Sequence, residues 1–505
     1  MELLTERHAD EIAGVLSCYD RIRIVGTLPG LCYAGGMTAY LYAHEIRVFD
    51  YPRFAEPLRN ALRENAERLA TEHGLQIEFI RKRNFRKEDK IKKVLRERGE
   101  HPGLVWIFSA MEPCPAYRPW YDKQKGKAYL RPDDGKCLHY YFYFIDEQLG
   151  LCYVRVPTWC PFGLQIYLNG HHWLAAQLRQ LQVGFTLLDN AFVHLTDWTV
   201  AQAVAHNCRV ESIHSKLDQF AQRYCPVLAR FDLRYHWSVD QAEYATDIVF
   251  RRQEDLQALY GHLTRTAIHA VKAENVATFL GRKLHGNYQD EMGNRFNIRI
   301  EGARIKHTMG PVSIKMYDKF ALILRLEVTV NDVSFFPHYR PVEQRDGHRV
   351  TKWTTMKKSI YSLPALAAAC QAANRRYLEF LSTLEDPRAG VDKLEKISQT
   401  VSDHDRSYPG FNLFDEQDQL LLQALARGEY NIRGLQNRTL RPHLAGKSSG
   451  QVSRLLKRLR VHGLLKKVGR TYRYYLTQLG KEVILTGLKL KELVLIPQLA
   501  FSPAS

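Results

Sequence analysis

The chain has 505 residues, too many to fold around one hydrophobic core, so about two to four domains are expected. A hydrophobic fraction of 45% with 25% charged residues excludes a wholly disordered chain. The formal net charge of +18 predicts a polyanionic partner, of which nucleic acid is the commonest in a cell.

Cysteine usage and apolar runs predict a cytoplasmic protein. The nine cysteines are an odd number and lack the close spacing of a zinc knuckle, which favours reduced thiols. The first residues, MELLTERHADEIAG, lack the basic and apolar segments of a secretory signal. No apolar run approaches the ~20 residues that span a bilayer, so no membrane segment is expected.

Residues 1–110 alternate strand-like and helix-like segments, which predicts an N-terminal α/β subdomain. We expect four strands in it, at 21–25, 45–49, 75–80 and 104–110. Between them lie an amphipathic helix at 52–73, ended by Gly74, and a helix rich in Lys and Arg.

Residues 111–385 predict a β-rich mixed α/β body that opens with a Pro- and aromatic-rich stretch. Two strands at 137–145 and 149–156, joined by three polar residues, predict a hairpin. The segments FNIRIEGARIKHT, VSIKMYDK and ALILRLEVTV predict a β-meander. A further strand is expected at 164–168, and helices are expected at 171–181 and 356–385.

A polar segment with Gly and Pro near its ends, 386–412, is expected to link the body to a C-terminal domain at 413–498. In that domain the pattern predicts three helices, at about 415–428, 432–440 and 450–463. A glycine-containing strand hairpin at 464–477 and a last helix at 477–495 are expected to follow. The pair Ser448-Ser449 is expected to cap the third helix.

The stretch SSGQVSRLLKRLRVHGLLKKVGRTYRYYLTQLGK resembles the recognition helix and wing of MarR-type bacterial regulators. The resemblance covers about residues 414–496 and implies a winged helix-turn-helix domain whose third helix enters the DNA major groove. The fold class expected for the whole chain is therefore α+β, a mixed α/β body of two or more subdomains with a C-terminal winged helix-turn-helix domain.

Charge in the C-terminal domain favours contact with nucleic acid. Between residues 427 and 481 there are 14 basic residues and one acidic residue, Glu429. Gln451 and Ser453, near the start of the third helix, are candidates for contact with base edges. The candidate nucleic-acid-binding residues of the domain are Ser449, Gln451, Ser453, Arg454, Lys457, Arg458, Arg460, Lys466, Lys467, Arg470 and Arg473.

A second basic segment, RKRNFRKEDKIKKVLRER at 81–98, has ten basic and three acidic residues. It fits a helix that contacts phosphates, and it fits a solvated charged helix face equally well. Its candidate nucleic-acid-binding residues are Arg81, Lys82, Arg83, Arg86 and Lys87.

Alternation along the predicted meander indicates a polar sheet face. Lys315 and Tyr317 share one side of their strand, and Arg325 and Glu327 share one side of the next. If the strands are neighbours, this face can hold a phosphate with its cations and a metal ion or proton with its carboxylate. The alternative is an ordinary amphipathic sheet with a solvated polar face.

The strand pair IKMYDK…LRLEVTV resembles a strand pair in some plasmid and phage rolling-circle replication initiators. The resemblance covers fewer than about twenty residues and implies DNA nicking. Those enzymes also carry a His-hydrophobic-His metal motif, and this sequence departs from the family there, since LHYYFYF holds one histidine and His171-His172 are adjacent.

Two carboxylates four residues apart, Glu243 and Asp247, share a face whether their segment is a helix or a strand. With Glu327 they form a candidate Mg²⁺ site for phosphoryl transfer, whereas the flanking Arg251 and Arg252 favour simple ion pairs instead. The candidate catalytic residues are therefore Glu327, Tyr317, Lys315, Glu243 and Asp247.

The functional hypothesis is a sequence-specific DNA-binding protein that serves a mobile element or replicon, with a large body that grips or processes nucleic acid. Three alternatives stay open: a metal-dependent nuclease, nickase or transposase, a non-catalytic transcriptional regulator, and a protein that binds structured RNA. No phosphate-binding glycine loop is present, so no cofactor is expected beyond Mg²⁺ in the catalytic case. Self-association of the chain is also left open.

Overall fold

The chain divides into two compact units, Met1–Glu385 and Asp386–Ser505, each described here by itself. Among the described residues, no helix combines the length and the apolar character needed to cross a membrane. The computed structural model describes residues 2–82, 84–283, 291–299, 302–385, 388–427, 430, 434–444, 446–469 and 471–496.

The N-terminal unit is built on one eleven-stranded sheet with the strand order β10-β11-β12-β13-β9-β1-β6-β5-β4-β3-β2, and it also carries two separate two-stranded sheets. Its strands are β1 Ile12–Thr27, β2 Ile77–Phe79, β3 Gly103–Asp122, β4 Lys127–Asp146, β5 Gly150–Pro157, β6 Leu164–Asn169, β7 Phe185–Leu188, β8 Ala191–Leu195, β9 His236–Phe250, β10 Met292–Arg299, β11 Gly302–Met309, β12 Val312–Lys319, β13 Ile323–Val330, β14 Pro337–Glu343 and β15 Arg349–Thr355.

Ten described helices surround this sheet, and short 3₁₀ turns connect several of them. The mixed α/β fold class is thereby confirmed. The helices are α1 Leu4–Arg7, α2 Ala34–Ala43, α3 Tyr51–Glu72, α4 Lys87–Arg98, α5 Gly170–Gln180, α6 Trp198–His206, α7 Val210–Tyr224, α8 Gln253–Ala270, α9 Ala273–Phe279 and α10 Leu363–Glu385.

One face of the sheet is largely apolar and forms the main core with helices α3, α7, α8 and α10. Ile22 and Ile24 of β1 and Val328 of β13 belong to it. The opposite face is covered in places by α5, α6 and the β7–β8 hairpin, which pack on Leu16 and Cys18 of β1. Between these covers the second face carries polar side chains, because alternate strand residues point to opposite sides of a sheet.

The expected strand at 45–49 is wrong, because that segment forms a turn and the 3₁₀ helix Val48–Asp50, which leads into α3. Pro52 in the first turn of α3 favours a helix start at this point, since a proline there removes no helical hydrogen bond.

The Pro- and aromatic-rich stretch after residue 111 belongs to two paired strands of twenty residues each, β3 and β4. Pro113, Pro115 and Pro119 occupy alternating positions of β3, beyond the short segment where β2 pairs with it. Proline fits there because its missing N–H falls on the unpaired edge of the strand.

The expected boundary near residue 110 does not divide the sheet. β1 pairs with β6 and β9, far along the chain, and β3 pairs with β4 across the expected boundary. The N-terminal α/β segment and the β-rich body therefore form one compact unit.

The segment 386–412, expected to be a linker, contains helix α11 Arg388–Ser398 and a small hairpin, β16 Val401–Asp403 and β17 Arg406–Tyr408. Ile397 and Phe411 from this segment lie in the core of the C-terminal unit. The composition of this segment did not indicate its fold, because most of α11, including the apolar Val391 and Leu394, is exposed while Ile397 is buried.

After α11 and the β16–β17 hairpin, the described part of the C-terminal unit places three helices before a second short hairpin and a last helix. Val452, Leu456 and Leu459 line the buried side of the third of these helices, whose first turn is capped by Ser448 in a capping box with Gln451. The elements are α12 Glu416–Leu425, α13 Asn437–Leu440, α14 Ser449–Val461, β18 Leu465–Lys467, β19 Tyr474–Leu476 and α15 Gln478–Lys489, and an isolated bridge joins Leu435 to Tyr474.

Candidate functional site

A cluster of acidic, basic and phenolic side chains lies on the polar face where β12, β13 and β9 are neighbours. Lys315 stands opposite Glu327 across β12 and β13, and Thr329 stands opposite Glu243 across β13 and β9. All of them point to the same side because they occupy alternate positions of paired strands. The structure thus brings together four of the five candidate catalytic residues.

Glu327 is the centre of this cluster and is almost fully buried. Its carboxylate accepts hydrogen bonds from Tyr317 Oη at 2.5 Å, Lys315 Nζ at 2.5 Å and Thr329 Oγ1 at 3.3 Å. Burial and the negative charge of Glu327 raise the pKa of Tyr317 well above its usual range. Tyr317 is therefore a neutral hydrogen-bond donor to Glu327.

Glu243 lies beside Glu327 and shares Lys315 with it. The Lys315 Nζ is 3.6 Å from a Glu243 oxygen, and Arg21 Nε is 3.7 Å from the other oxygen. Burial and the neighbouring Glu327 charge raise the pKa of Glu243. A second cation near both carboxylates would therefore be stabilised by them.

Asp20 of β1 is the third carboxylate of the cluster, and the sequence analysis did not find it. One oxygen each of Asp20, Glu243 and Glu327 lie within 4.8 Å of one another. Strict alternation would put Asp20 on the apolar side with Ile22 and Ile24, but β1 contains a β-bulge between Tyr19 and Arg21 that changes the side its residues face. No sequence pattern marks that bulge.

Asp247 does not join this cluster, contrary to the expected grouping with Glu243 and Glu327. It stands directly opposite Arg325, whose guanidinium donates to both of its oxygens at 2.6 Å. Arg325 Nη1 is also 3.5 Å from Asp20, and His171 lies between the two aspartates, 3.0 Å from Asp20 and 3.7 Å from Asp247. The result is a buried network of two acids and two bases.

The charges of this buried network stabilise one another. Burial opposes ionisation of Asp20 and Asp247, but Arg325 and His171 outweigh it and lower both pKa values, that of Asp247 to about 2. Burial also opposes the charged form of His171, yet its neighbours, Cys18 and the two aspartates, raise its pKa well above the usual value. Nearby, burial and Arg325 lower the pKa of Lys319 to about 8.

Acid is expected to destabilise the N-terminal unit in two steps. Burial lowers the pKa of His307 to about 4, and burial with Arg155 lowers that of His139 to about 4. The unfolded chain therefore binds these protons first, so stability falls from about pH 6.5 to pH 4. Below about pH 4 the stability supplied by ionised Asp20 and Asp247 is lost as well.

This dependence is measured as the urea midpoint of tryptophan fluorescence between pH 7 and pH 3. The raised pKa of His171 affects stability at higher pH, because its contribution is complete below about pH 6.5 and is lost as pH rises from there through its folded pKa. A midpoint that stays constant between pH 6.5 and pH 4 would contradict the expectation.

The basic segment at 81–98 presents some of its candidate residues to solvent. Arg81, Lys82 and Arg86 are exposed and precede helix α4, whereas Lys87 is the first residue of that helix and its ammonium lies 3.6 Å from the centre of the Tyr141 ring. Lys87 is thus partly used in packing, with Ile91 as the buried contact of the helix. Arg83 lies outside the described residues.

Several candidate residues of α14 hold the C-terminal unit together instead of facing solvent freely. Arg458 donates to Asp418 at 2.7 Å and to the backbone carbonyls of Pro409 and Gly410, and Lys457 pairs with Asp403. Among the polar residues at the start of the helix, Ser453 accepts a hydrogen bond from Asn437, Ser449 donates to Asn437, and Gln451 caps the helix with Ser448.

The remaining described candidates form a surface that we call the exposed basic surface. It consists of five residues from α14 and the β18–β19 hairpin. Each of their side chains is exposed to solvent, and none of them has an ion-pair partner in the part of the unit that the structure describes. The residues are Arg454, Arg460, Lys466, Lys467 and Arg473. Arg470, at the tip of the hairpin, lies outside the described residues.

Comparison with known proteins gives no match: no family model, no curated protein and no solved structure corresponds to this chain. The resemblances stated for the C-terminal domain and for the strand pair therefore stay predictions.

Proposed function

We propose that this chain is a DNA-binding protein and that its C-terminal unit is a winged-helix domain. The order α12, α13, α14, β18–β19 hairpin and α15 agrees with that domain type, in which the third helix enters the major groove and the hairpin follows the backbone. The Leu435–Tyr474 bridge supports it further, since it adds a third short segment to the hairpin.

The observation that carries the proposal is the exposed basic surface. Its five cations are concentrated on the helix and hairpin that would meet DNA, in a region with a single acidic residue between positions 427 and 481. Such a concentration of unpaired positive charge attracts phosphate and releases counterions on binding. A unit that only contacts other proteins does not need this concentration of positive charge.

Substituting the basic surface is expected to weaken duplex binding and its salt dependence together. The triple variant Arg454→Ala, Lys466→Ala and Arg473→Ala should lower the slope of log affinity against log salt by about 0.9 for each phosphate contact removed. The duplex is first selected from a random pool with the full-length protein, and binding is then followed by fluorescence anisotropy at several salt concentrations.

Lys393 provides the matched control, as an exposed lysine of α11 outside the basic surface. Its alanine variant should keep the salt slope of the parent protein. Failure of the full-length protein to enrich any duplex, or equal slopes in the triple variant and the parent, would overturn the proposal.

A second function, metal-dependent cleavage of DNA phosphodiesters by the N-terminal unit, is favoured by the grouping of Asp20, Glu243 and Glu327. Carboxylate oxygens are the protein ligands that Mg²⁺ prefers, and three of them meet here within 4.8 Å. Lys315 lies between Glu243 and Glu327, so a bound cation would share or displace its ammonium group. The ion would supply Lewis-acid polarisation of a phosphate oxygen.

The groups around these carboxylates fit a phosphate as substrate. Lys315 and Arg21 bring positive charge to the same face of the sheet, and the hydroxyl of Tyr317 holds Glu327 in place. Lys306 of β11 stands opposite Lys315 and extends the positive charge toward the edge of the sheet. These groups can orient a phosphodiester beside the ion that the carboxylates hold.

A further inference from the structure

A hairpin of the N-terminal unit, β14–β15, displays two large aromatic rings to solvent. Tyr339 and Trp353 stand directly opposite each other, with ring centroids 5.5 Å apart. Their exposed fractions are 56% and 69%, among the highest of the large apolar side chains that the structure describes. Large exposed aromatic side chains that lie together are typical of binding surfaces.

The hairpin is firmly attached at its base and unsupported beyond it. Phe336 and Met356 flank the two strands, are both buried in the main core and are joined by a backbone hydrogen bond of 3.0 Å. Within the described residues, β14 and β15 pair with each other alone. The aromatic pair is therefore held in a fixed position on a projecting ribbon.

Several exposed cations lie on the same hairpin. Arg345, Arg349 and Lys352 are exposed, and in the described part of the chain Arg345 and Lys352 have no ion-pair partner, while Arg349 is 4.0 Å from Glu343. Arg340 donates to the Thr355 carbonyl within the hairpin. Exposed aromatic rings and cations on one hairpin suit a polyanion whose own flat rings can stack on them.

From this combination we infer that the β14–β15 hairpin binds single-stranded DNA, with unpaired bases stacked on Tyr339 and Trp353. The exposed cations of the same hairpin attract the phosphates of that strand. The inference rests on the proposed function, which supplies DNA as the partner, and it adds the form of DNA that the N-terminal unit takes. Bases in a duplex already stack on one another, so the rings select an unpaired strand.

The test compares a fluorescent oligo(dT) strand with the duplex selected for the C-terminal unit, using the full-length protein. Trp353→Ala and Tyr339→Ala should each weaken binding of oligo(dT) by about fivefold or more and leave duplex binding unchanged. Trp353→Phe should keep most of the affinity, because a phenyl ring still stacks. Phe49→Ala, which removes another exposed ring of the same unit, should change neither affinity.

Failure of the inference and failure of the proposed function give different results. If oligo(dT) binds the alanine variants as tightly as the parent, or if their duplex binding falls by the same factor, the hairpin assignment is overturned. If the basic-surface variant leaves duplex binding and its salt slope unchanged, the proposed function fails instead. Circular dichroism melting of each variant confirms that the altered ring, and not unfolding, causes the effect.

Discussion

Replacing Arg325 with alanine is expected to lower the free energy of unfolding of the N-terminal unit by about 3–5 kcal/mol, the cost of leaving a buried charge without its partner. Arg325 is fully buried and donates to both oxygens of Asp247 at 2.6 Å. It also lies 3.5 Å from Asp20, so its loss leaves two buried carboxylates with His171 and Lys319 as the cations beside them. Their pKa values should then rise.

Tryptophan fluorescence isolates this effect, because all seven tryptophans of the chain lie in the N-terminal unit. Urea unfolding followed by this signal therefore reports on that unit alone. The matched control is Arg252→Ala, which removes an arginine that pairs with Asp255 on the surface and should not change the midpoint measurably. An Arg325→Ala midpoint equal to that of Arg252→Ala would show that the network does not stabilise the unit.

Elements with strong local patterns could be predicted from the sequence. Helix α3 lies within one residue of its expected bounds, and the β4–β5 hairpin was expected from two strand-like runs joined by three polar residues. The meander was expected as three strands and has four, because FNIRIEGARIKHT supplies both β10 and β11. Alternation fixes the side that a residue faces, but it does not mark a reversal of direction inside a polar segment.

The candidate site could be predicted only where its strands are consecutive. Lys315, Tyr317 and Glu327 lie on a hairpin, so their proximity follows from local pairing. Glu243 comes from a strand about eighty residues earlier, and its position depends on which strands become neighbours in the sheet. Asp20 depends on a bulge as well, and a single inserted residue leaves no periodic signal.

The basic surface shows the same limit. Helical periodicity correctly assigned Lys457 and Arg458 to the side of α14 away from its apolar stripe. It could not show that Asp403 and Asp418, from elements earlier in the chain, would pair with them. A cation on a polar helix face contacts a ligand only if the fold supplies no carboxylate for it, and that depends on tertiary structure.

Glu327→Gln is expected to abolish Mg²⁺-dependent cleavage of DNA, with a loss of about a hundredfold or more, because it removes the charge of the carboxylate at the centre of the cluster. Gln has nearly the same shape, and its carbonyl can still accept a hydrogen bond from Tyr317. Its amide nitrogen cannot accept from Lys315, so the change removes the charge and that hydrogen bond. Nicking of a supercoiled plasmid that carries the selected duplex, measured with and without Mg²⁺, gives the rate.

Glu112 provides the matched control, because it also contacts a tyrosine and a cation but lies outside the carboxylate cluster. It accepts hydrogen bonds from Tyr141 Oη at 2.6 Å and from Arg155 at 2.6 Å, on a different part of the sheet. Glu112→Gln thus removes an equivalent Tyr–Glu–cation contact outside the cluster and should keep full cleavage. If Glu327→Gln also cleaves at the parental rate with unchanged Mg²⁺ dependence, the three carboxylates do not hold the ion, and the cluster acts only through its hydrogen bonds and charge pairing within the sheet.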